Sequence, residues 1–121
     1  MMKITLPALA FVLCAASAHA ECTYPAYEFF PEKNGGLVVD MKVTDGASCT
    51  HYFAEGPGYK FTSVTLDRQA EHGSVKKDGV NHFVYRPAAG FKGKDFYGVK
   101  ICATKGAAKG CTTIYYVATI E

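Results

Sequence analysis

The chain has 121 residues, 49% of them hydrophobic, and a formal net charge of +2 at pH 7. This length suits one domain with a single core. The near-neutral charge argues against general nucleic-acid binding, which needs a strongly basic surface, and the composition is not that of a disordered chain.

The first 20 residues have the three parts of a secretory signal peptide. Lys3 supplies the positive charge, residues 4–16 are apolar but short for a membrane span, and residues 18–20 read Ala-His-Ala, a small-x-small cleavage site. We therefore expect a signal peptide over residues 1–20 and a secreted or periplasmic domain over residues 21–121. A membrane anchor is the alternative reading, and no second apolar span follows. Loss of Lys3 lowers the net charge to +1.

Hydrophobic alternation and turn signals then predict about eight short strands and no amphipathic helix. The predicted strands cover residues 22–31, 37–43, 49–54, 61–66, 73–77, 81–86, 95–102 and 112–120. The first is an edge strand, because prolines interrupt it. Asp78-Gly79 is the strongest hairpin signal, and residues 67–72 allow one short helical turn. Short strands with turns about every ten residues predict an all-β sandwich.

The most distinctive stretch is the Pro/Gly corner that joins the sixth and seventh predicted strands. Pro87 ends the sixth strand because it has no N–H to donate to a ladder, and Gly90 and Gly93 allow backbone conformations closed to other residues. We expect Phe91 to fold under the corner and close one end of the core. We expect Asp95 to accept hydrogen bonds from loop amides.

Beyond the corner, alternation predicts which side chains are inside the domain. Buried positions are expected at Phe91, Tyr97, Val99 and Ile101, and exposed positions at Lys92, Lys94 and Lys100.

Together these residues follow the pattern Tyr-x-Pro, then Gly-Phe-x-Gly-x-Asp, then alternating aromatic and aliphatic residues. The positions on it are Tyr85, Pro87, Gly90, Phe91, Gly93, Asp95, Tyr97, Val99 and Ile101. The stretch resembles the bacterial Ig-like and cadherin-like repeats of surface proteins, well over residues 79–117 and loosely before them. The resemblance implies an Ig-like antiparallel β-sandwich of seven to eight strands, here as a single domain.

One departure from that family concerns calcium. The repeats usually follow this strand with an acidic turn, whereas residues 103–106 read Ala-Thr-Lys-Gly and contain no carboxylate. No Asp-x-Asp run is present either. We therefore expect no metal site and no cofactor.

The cysteines predict disulfide bonds. Once Cys14 leaves with the signal, an even number remains, namely Cys22, Cys49, Cys102 and Cys111. In a small exported domain this indicates two disulfides. A zinc site is the alternative, but no Cys-x-x-Cys pair exists and the histidines lack ligand spacing.

The simplest pairing joins Cys102 to Cys111, whose spacing allows opposite positions in an antiparallel pair, and Cys22 to Cys49. By the loop arrangement of an Ig-type sandwich, all four cysteines should lie near one end.

Candidate catalytic residues are scattered. Serines 48, 63 and 74 show no nucleophile elbow, and the three histidines of the mature domain cannot be placed together from sequence. Those histidines are His51, His72 and His82. The carboxylates lie mostly in turns, where acids have structural roles. We expect no enzymatic activity.

The tyrosines are more suggestive, since eight occur in a chain without tryptophan. Tyr115 and Tyr116 are adjacent in a strand and point to opposite faces, so one of them should be partly exposed. Exposed tyrosines suit the binding of a protein partner or a sugar. The alternative is that they are ordinary residues of a sheet surface and have no binding role.

These observations favour a non-enzymatic Ig-like binding or adhesion-type module. An inhibitor of a protease or lysozyme-like enzyme is the alternative, and a small hydrolase comes third. The loop end with the cysteines should also carry Lys76, Lys77, Lys105 and Lys109. A locally basic end predicts a protein or polysaccharide partner of anionic character, unless these lysines only keep the hairpins soluble.

Overall fold

The computed structural model describes residues 19–121, so the expected signal peptide lies almost wholly outside the described residues. The strands are β1 (Glu21–Thr23), β2 (Gly35–Thr44), β3 (Cys49–Tyr52), β4 (Tyr59–Arg68), β5 (Gly73–Lys77), β6 (His82–Pro87), β7 (Gly93–Lys105) and β8 (Ala108–Ile120). A 3-10 helix at Pro31–Lys33 is the one helical element of this part of the chain. None of its helices is long and apolar enough to cross a membrane.

The eight strands form two sheets, and side chains of both sheets contribute to one hydrophobic core. The larger sheet has the order β1-β2-β8-β7-β4 and the smaller one β3-β6-β5. All neighbours are antiparallel except β2 and β8, which run parallel from Gly35 opposite Thr112 to Val43 opposite Ile120. The expected purely antiparallel sandwich is therefore wrong at this pair. No hairpin joins these two strands, so nothing local forces them to run in opposite directions.

The core lies between the sheets and follows the predicted alternation. Tyr97, Val99 and Ile101 on β7 are at most 1% exposed, as expected. The three neighbouring lysines that were expected outside, Lys92, Lys94 and Lys100, are exposed. Hydrophobic burial on this scale is the main stabilising contribution in a small β-domain.

Phe91 is a partial exception to the expected burial. Its ring packs against the core but stays partly exposed, because it stacks on the exposed His72 with the ring centroids 4.2 Å apart. Phe91 therefore covers the corner rather than plugging one end of the core. The glycines beside it do need their freedom, since Gly90 has φ +79° and Gly93 φ +134°.

The segment before β2 departs most from the predicted strands. The predicted edge strand over residues 22–31 shrinks to the three residues of β1. Pro25 and Pro31 cannot donate to a ladder, and Pro31 instead starts the 3-10 helix, a position that suits its fixed φ. The helical turn allowed over residues 67–72 is absent, because Asp67 and Arg68 extend β4.

The two disulfides have the expected pairing, Cys22 with Cys49 and Cys102 with Cys111. Their expected position at one end of the sandwich is wrong. Cys22 lies opposite Val43, which lies opposite Ile120, whereas Cys111 precedes Ile120 by nine residues of β8, about 30 Å of strand. The reason is that β1 folds back onto the far end of β2, so Cys22 reaches the opposite end from the β7–β8 hairpin.

Candidate binding surfaces

A stack of aromatic rings fills the space between the sheets. Tyr97 lies between Tyr85 and Tyr116, with ring centroids 4.7 and 4.9 Å away, and His51 stacks on Tyr116 at 4.1 Å. The Tyr116 hydroxyl meets that of the partly buried Tyr27 at 2.6 Å. Burial raises the pKa of both Tyr97 and Tyr116, so these phenols stay protonated.

His51 is a structural member of this stack. It is 2% exposed, and its Nε2 lies 2.6 Å from the Tyr97 hydroxyl oxygen. Burial lowers the pKa of His51 to about 4, so the ring is neutral at physiological pH. Its Nδ1 has no hydrogen-bond partner among residues 19–121. A substrate could not reach this ring from solvent.

Asp95 holds the Pro/Gly corner, as expected from the sequence. Its carboxylate is fully buried, and Oδ1 accepts hydrogen bonds from the backbone N–H groups of Glu71 and His72 at 2.8 and 3.0 Å. Tyr85 donates its hydroxyl to Oδ2 at 2.8 Å. Burial and this bond raise the pKa of Tyr85. Tyr85 and Asp95 therefore have a structural role, because their side chains join the two ends of the corner to each other and to the loop before β5.

The other two histidines of the domain lie elsewhere. His72 is stacked on Phe91, and His82 places Nδ1 2.8 Å from the Asp78 carbonyl oxygen in the β5–β6 turn. Over residues 19–121, no group of three His, Cys, Asp or Glu side chains is arranged to hold a metal ion.

The four candidate lysines lie in two hairpins at one end of the domain. A chain of ring contacts runs from Phe83 on β6 through Phe53 and Phe29 to Phe61 on β4, which lies opposite Ala103 of β7. The candidates nevertheless face different ways. Lys76 on β5 and Lys109 on β8 belong to different sheets, whereas Lys77 and Lys105 lie at the strand ends.

Lys105 is also partly committed to an internal contact. Its Nζ lies 4.8 Å from the centre of the Tyr59 ring, and the Tyr59 hydroxyl donates to both oxygens of Glu32, at 2.7 and 2.9 Å. The bond from Tyr59 holds the pKa of Glu32 below its usual value, with a smaller contribution from Lys105. The charge of Lys105 is therefore partly balanced by its surroundings.

An open cleft of about 380 Å³, with aromatic side chains making up half of its lining residues, lies beside this contact. Its walls come from the loops around the 3-10 helix and before β4, which include Phe29 and Phe30, and from the start of β4, with Tyr59 and Phe61. The sequence reasoning missed it because the wall residues come from segments that only the fold brings together.

A more extensive surface is the outer face of the five-stranded sheet. Tyr115 lies at its centre and is 43% exposed, whereas Tyr116 is fully buried, which confirms that one of this pair faces outward. We call this surface the basic aromatic face. Its basic and aromatic residues are Lys60, Arg68, Lys94, Phe96, Lys100, Lys109 and Tyr115, and the exposed Asp40 on β2, opposite Val117, lies on the same face.

Two glycines shape the platform around Tyr115. A Cβ atom built on Gly36 would lie 3.3 Å from the Tyr115 ring carbon Cε2, and one on Gly98 would lie 3.6 Å from Cδ1. These glycines lie on β2 and β7, on either side of β8. The Tyr115 ring therefore lies low over the sheet, in the space that the missing side chains leave.

The charges of this face are unevenly distributed. From the row next to Tyr115 to the β7–β8 hairpin, the strand register places Lys60, Lys100 and Lys109 and no carboxylate. The two ion pairs within the described chain are Lys42 with Glu121 and Arg68 with Glu71, and neither involves these lysines. The part of the face between Tyr115 and the β7–β8 hairpin is therefore basic, with no carboxylate to neutralise its lysines.

The third surface is the tip of the smaller sheet. Val80 in the β5–β6 turn is 81% exposed and Tyr52 on β3 is 68% exposed. The Tyr52 ring packs edge-on against His82. Backbone bonds hold the turn, since Asp78 N–H donates to the His82 carbonyl at 2.7 Å.

Comparison with known proteins assigns the chain to no family: no family model matches it, and no curated protein matches it significantly.

Proposed function

We propose that residues 21–121 form a non-enzymatic, secreted or periplasmic binding module whose binding surface is the basic aromatic face. The observation that carries this proposal is an exposed, low-lying Tyr115 ring beside lysines without carboxylate partners. Tyrosine offers a large contact area at a small cost in conformational entropy. Unpaired surface lysines attract an anionic partner.

The strand order supports an Ig-like arrangement. In an immunoglobulin constant domain, the first, second, fourth and fifth strands share one sheet, and the third, sixth and seventh share the other. If β2 is counted as the first strand, β3, β5 and β6 fit the first group and β4, β7 and β8 fit the second. Here the first strand departs from that arrangement, because β2 lies in the larger sheet. β1 is then an additional edge strand, and β2 pairs with β8.

Export is supported by the disulfides, which persist in oxidising compartments. Rigid strands also suit a binding role. The Cys102–Cys111 bond joins β7 and β8 on the binding surface itself, so less ordering is needed when a partner binds.

Sedimentation with cell envelopes tests the proposed surface. The labelled, oxidised protein should sediment with intact cells or envelopes of its source, and Tyr115→Ala with Lys100→Glu should abolish this. Lys76→Glu with Lys77→Glu, on the smaller sheet, is the matched control and should sediment as the unchanged protein does. Undiminished sedimentation of the Tyr115→Ala, Lys100→Glu variant would reject this surface, and loss in the Lys76→Glu, Lys77→Glu variant alone would favour those hairpin lysines instead.

A second function, inhibition of an enzyme, is favoured by the hairpin tip. Val80 projects from a turn held by backbone hydrogen bonds, as a side chain inserted into an enzyme cleft would. Inhibition of a panel of proteases and lysozymes should then be lost in Val80→Asp and kept in Tyr115→Ala. The opposite dependence would exclude the tip.

A further inference from the structure

Resting on the proposed function, we infer that the ligand of the basic aromatic face is an acidic polysaccharide, whose sugar rings carry carboxylate or sulfate groups. The inference depends on three features of the face: one stacking ring, three lysines on the hairpin side of that ring, and hydroxyl groups between them.

The stacking ring is Tyr115. Because the ring lies low over Gly36 and Gly98, it offers a flat surface rather than a projecting edge. Exposed aromatic side chains stack on the faces of nucleic-acid bases with little dependence on sequence, and we expect the flat Tyr115 ring to stack on the face of a sugar ring in the same way. A sugar ring of a long polymer presents such a face at every unit.

The lysines lie where charged groups of a polymer could reach them. Lys100 pairs with Thr113, two residues from Tyr115, which makes Lys100 and Tyr115 diagonal neighbours about 7 Å apart. Farther along the sheet, Lys60 and Lys109 flank Thr104 from either side, about 13 Å of strand beyond Lys100. These three lysines lie on the hairpin side of the ring, where an elongated polyanion stacked on Tyr115 would contact them in succession.

The side chains between the lysines favour a polysaccharide over an acidic protein. They are mostly hydroxyl-bearing, and those at register positions of the outer face are Ser63, Thr65, Thr104 and Thr113. Hydroxyl groups both donate and accept hydrogen bonds, which matches the hydroxyl groups of sugars. The core of a protein–protein interface is instead depleted in lysine and serine.

Direct binding measurements test this inference. Calorimetry with the oxidised protein should show binding of heparin fragments or oligogalacturonate, and none of neutral dextran. Higher salt should weaken the binding because the lysines are exposed. Tyr115→Ala should weaken it about tenfold, as loss of one stacked ring does, while Tyr115→Phe should retain it. Unchanged melting temperatures of the variants would show that the fold is intact.

Charge variants distinguish binding at this face from non-specific attraction of an anionic polymer to any positive charge on the protein. Lys100→Glu with Lys109→Glu should abolish binding, whereas the matched Lys76→Glu, Lys77→Glu variant should bind as the unchanged protein does. Equal losses in both variants, or equal binding of polyglutamate, would overturn the inference. Absence of polysaccharide binding would also overturn it, and Tyr115-dependent sedimentation with envelopes would then show that the proposed surface binds another kind of partner.

Discussion

Tyr85 and Asp95 form a buried hydrogen bond between the two sheets, in which the Tyr85 hydroxyl donates to Asp95 Oδ2 at 2.8 Å. Tyr85 lies on β6 of the smaller sheet and Asp95 on β7 of the larger one. The same carboxylate accepts two loop amides. One side chain thus ties the sheets and the β4–β5 connection together.

Removing the hydroxyl tests this connection. Tyr85→Phe leaves a buried carboxylate oxygen without its donor, so the free energy of unfolding should fall by about 1–3 kcal/mol. Urea denaturation measures the change. Tyr115→Phe removes an exposed hydroxyl and should alter stability by less than about 0.5 kcal/mol. Equal effects of the two substitutions would show that the Tyr85–Asp95 bond contributes nothing specific.

Phe91→Ala tests whether the Phe91 ring packs over the Pro/Gly corner, partly exposed, or closes one end of the core as a fully buried side chain. Because Phe91 is partly exposed and stacks on His72, we expect a loss of about 1–2 kcal/mol, below the roughly 3–5 kcal/mol of a fully buried phenylalanine. Phe83→Ala, at a position 1% exposed, should show the larger loss. Chemical denaturation of both variants measures the decrease in the free energy of unfolding. A decrease for Phe91→Ala as large as that for Phe83→Ala would support the original expectation that Phe91 closes one end of the core.

His51 should make the domain sensitive to mild acid. Its pKa is about 4 in the folded state against an ordinary 6.5, so the unfolded chain takes up the proton first as pH falls. The stability that the neutral His51 provides is therefore fully present above pH 6.5. It is lost progressively as the pH falls to about 4, and the free energy of unfolding should decrease by as much as about 3 kcal/mol over this range.

Denaturation at several pH values measures this loss. His51→Leu should flatten the profile between pH 6.5 and 4, even if it is less stable at neutral pH. An unchanged slope in His51→Leu would assign the acid sensitivity to other groups.

The two disulfides should contribute unequally. Cys22–Cys49 closes a loop with a sequence separation of 27 and links the two sheets, whereas Cys102–Cys111 has a separation of 9 and lies within one sheet. Loop entropy assigns about 4 and about 3 kcal/mol to them. Paired Cys→Ala variants, compared by thermal unfolding, should rank in that order. The reverse ranking would mean that the pairing of β1 with β2 holds β1 in place even without the Cys22–Cys49 bond.

Metal removal should leave the domain intact, since its β7–β8 turn contains no carboxylate that could bind calcium. The melting temperature should be the same with EDTA as with calcium. A shift of several degrees with calcium would contradict this expectation.

Local patterns in the sequence were enough to predict most strands, the Asp78-Gly79 hairpin and the disulfide pairing. Alternation fixes which side chains share a face, because successive residues of a strand point to opposite sides. It correctly placed Tyr97 inside and Lys100 outside, and it required that Tyr115 and Tyr116 face opposite ways.

Only the tertiary structure decided which strands are neighbours. The parallel β2–β8 pair, the separation of the two disulfides and the meeting of Tyr115 with Gly36, Gly98 and Lys100 all depend on register between segments distant in sequence. No local pattern encodes such register, because it is set by how the inner faces of both sheets bury their side chains together.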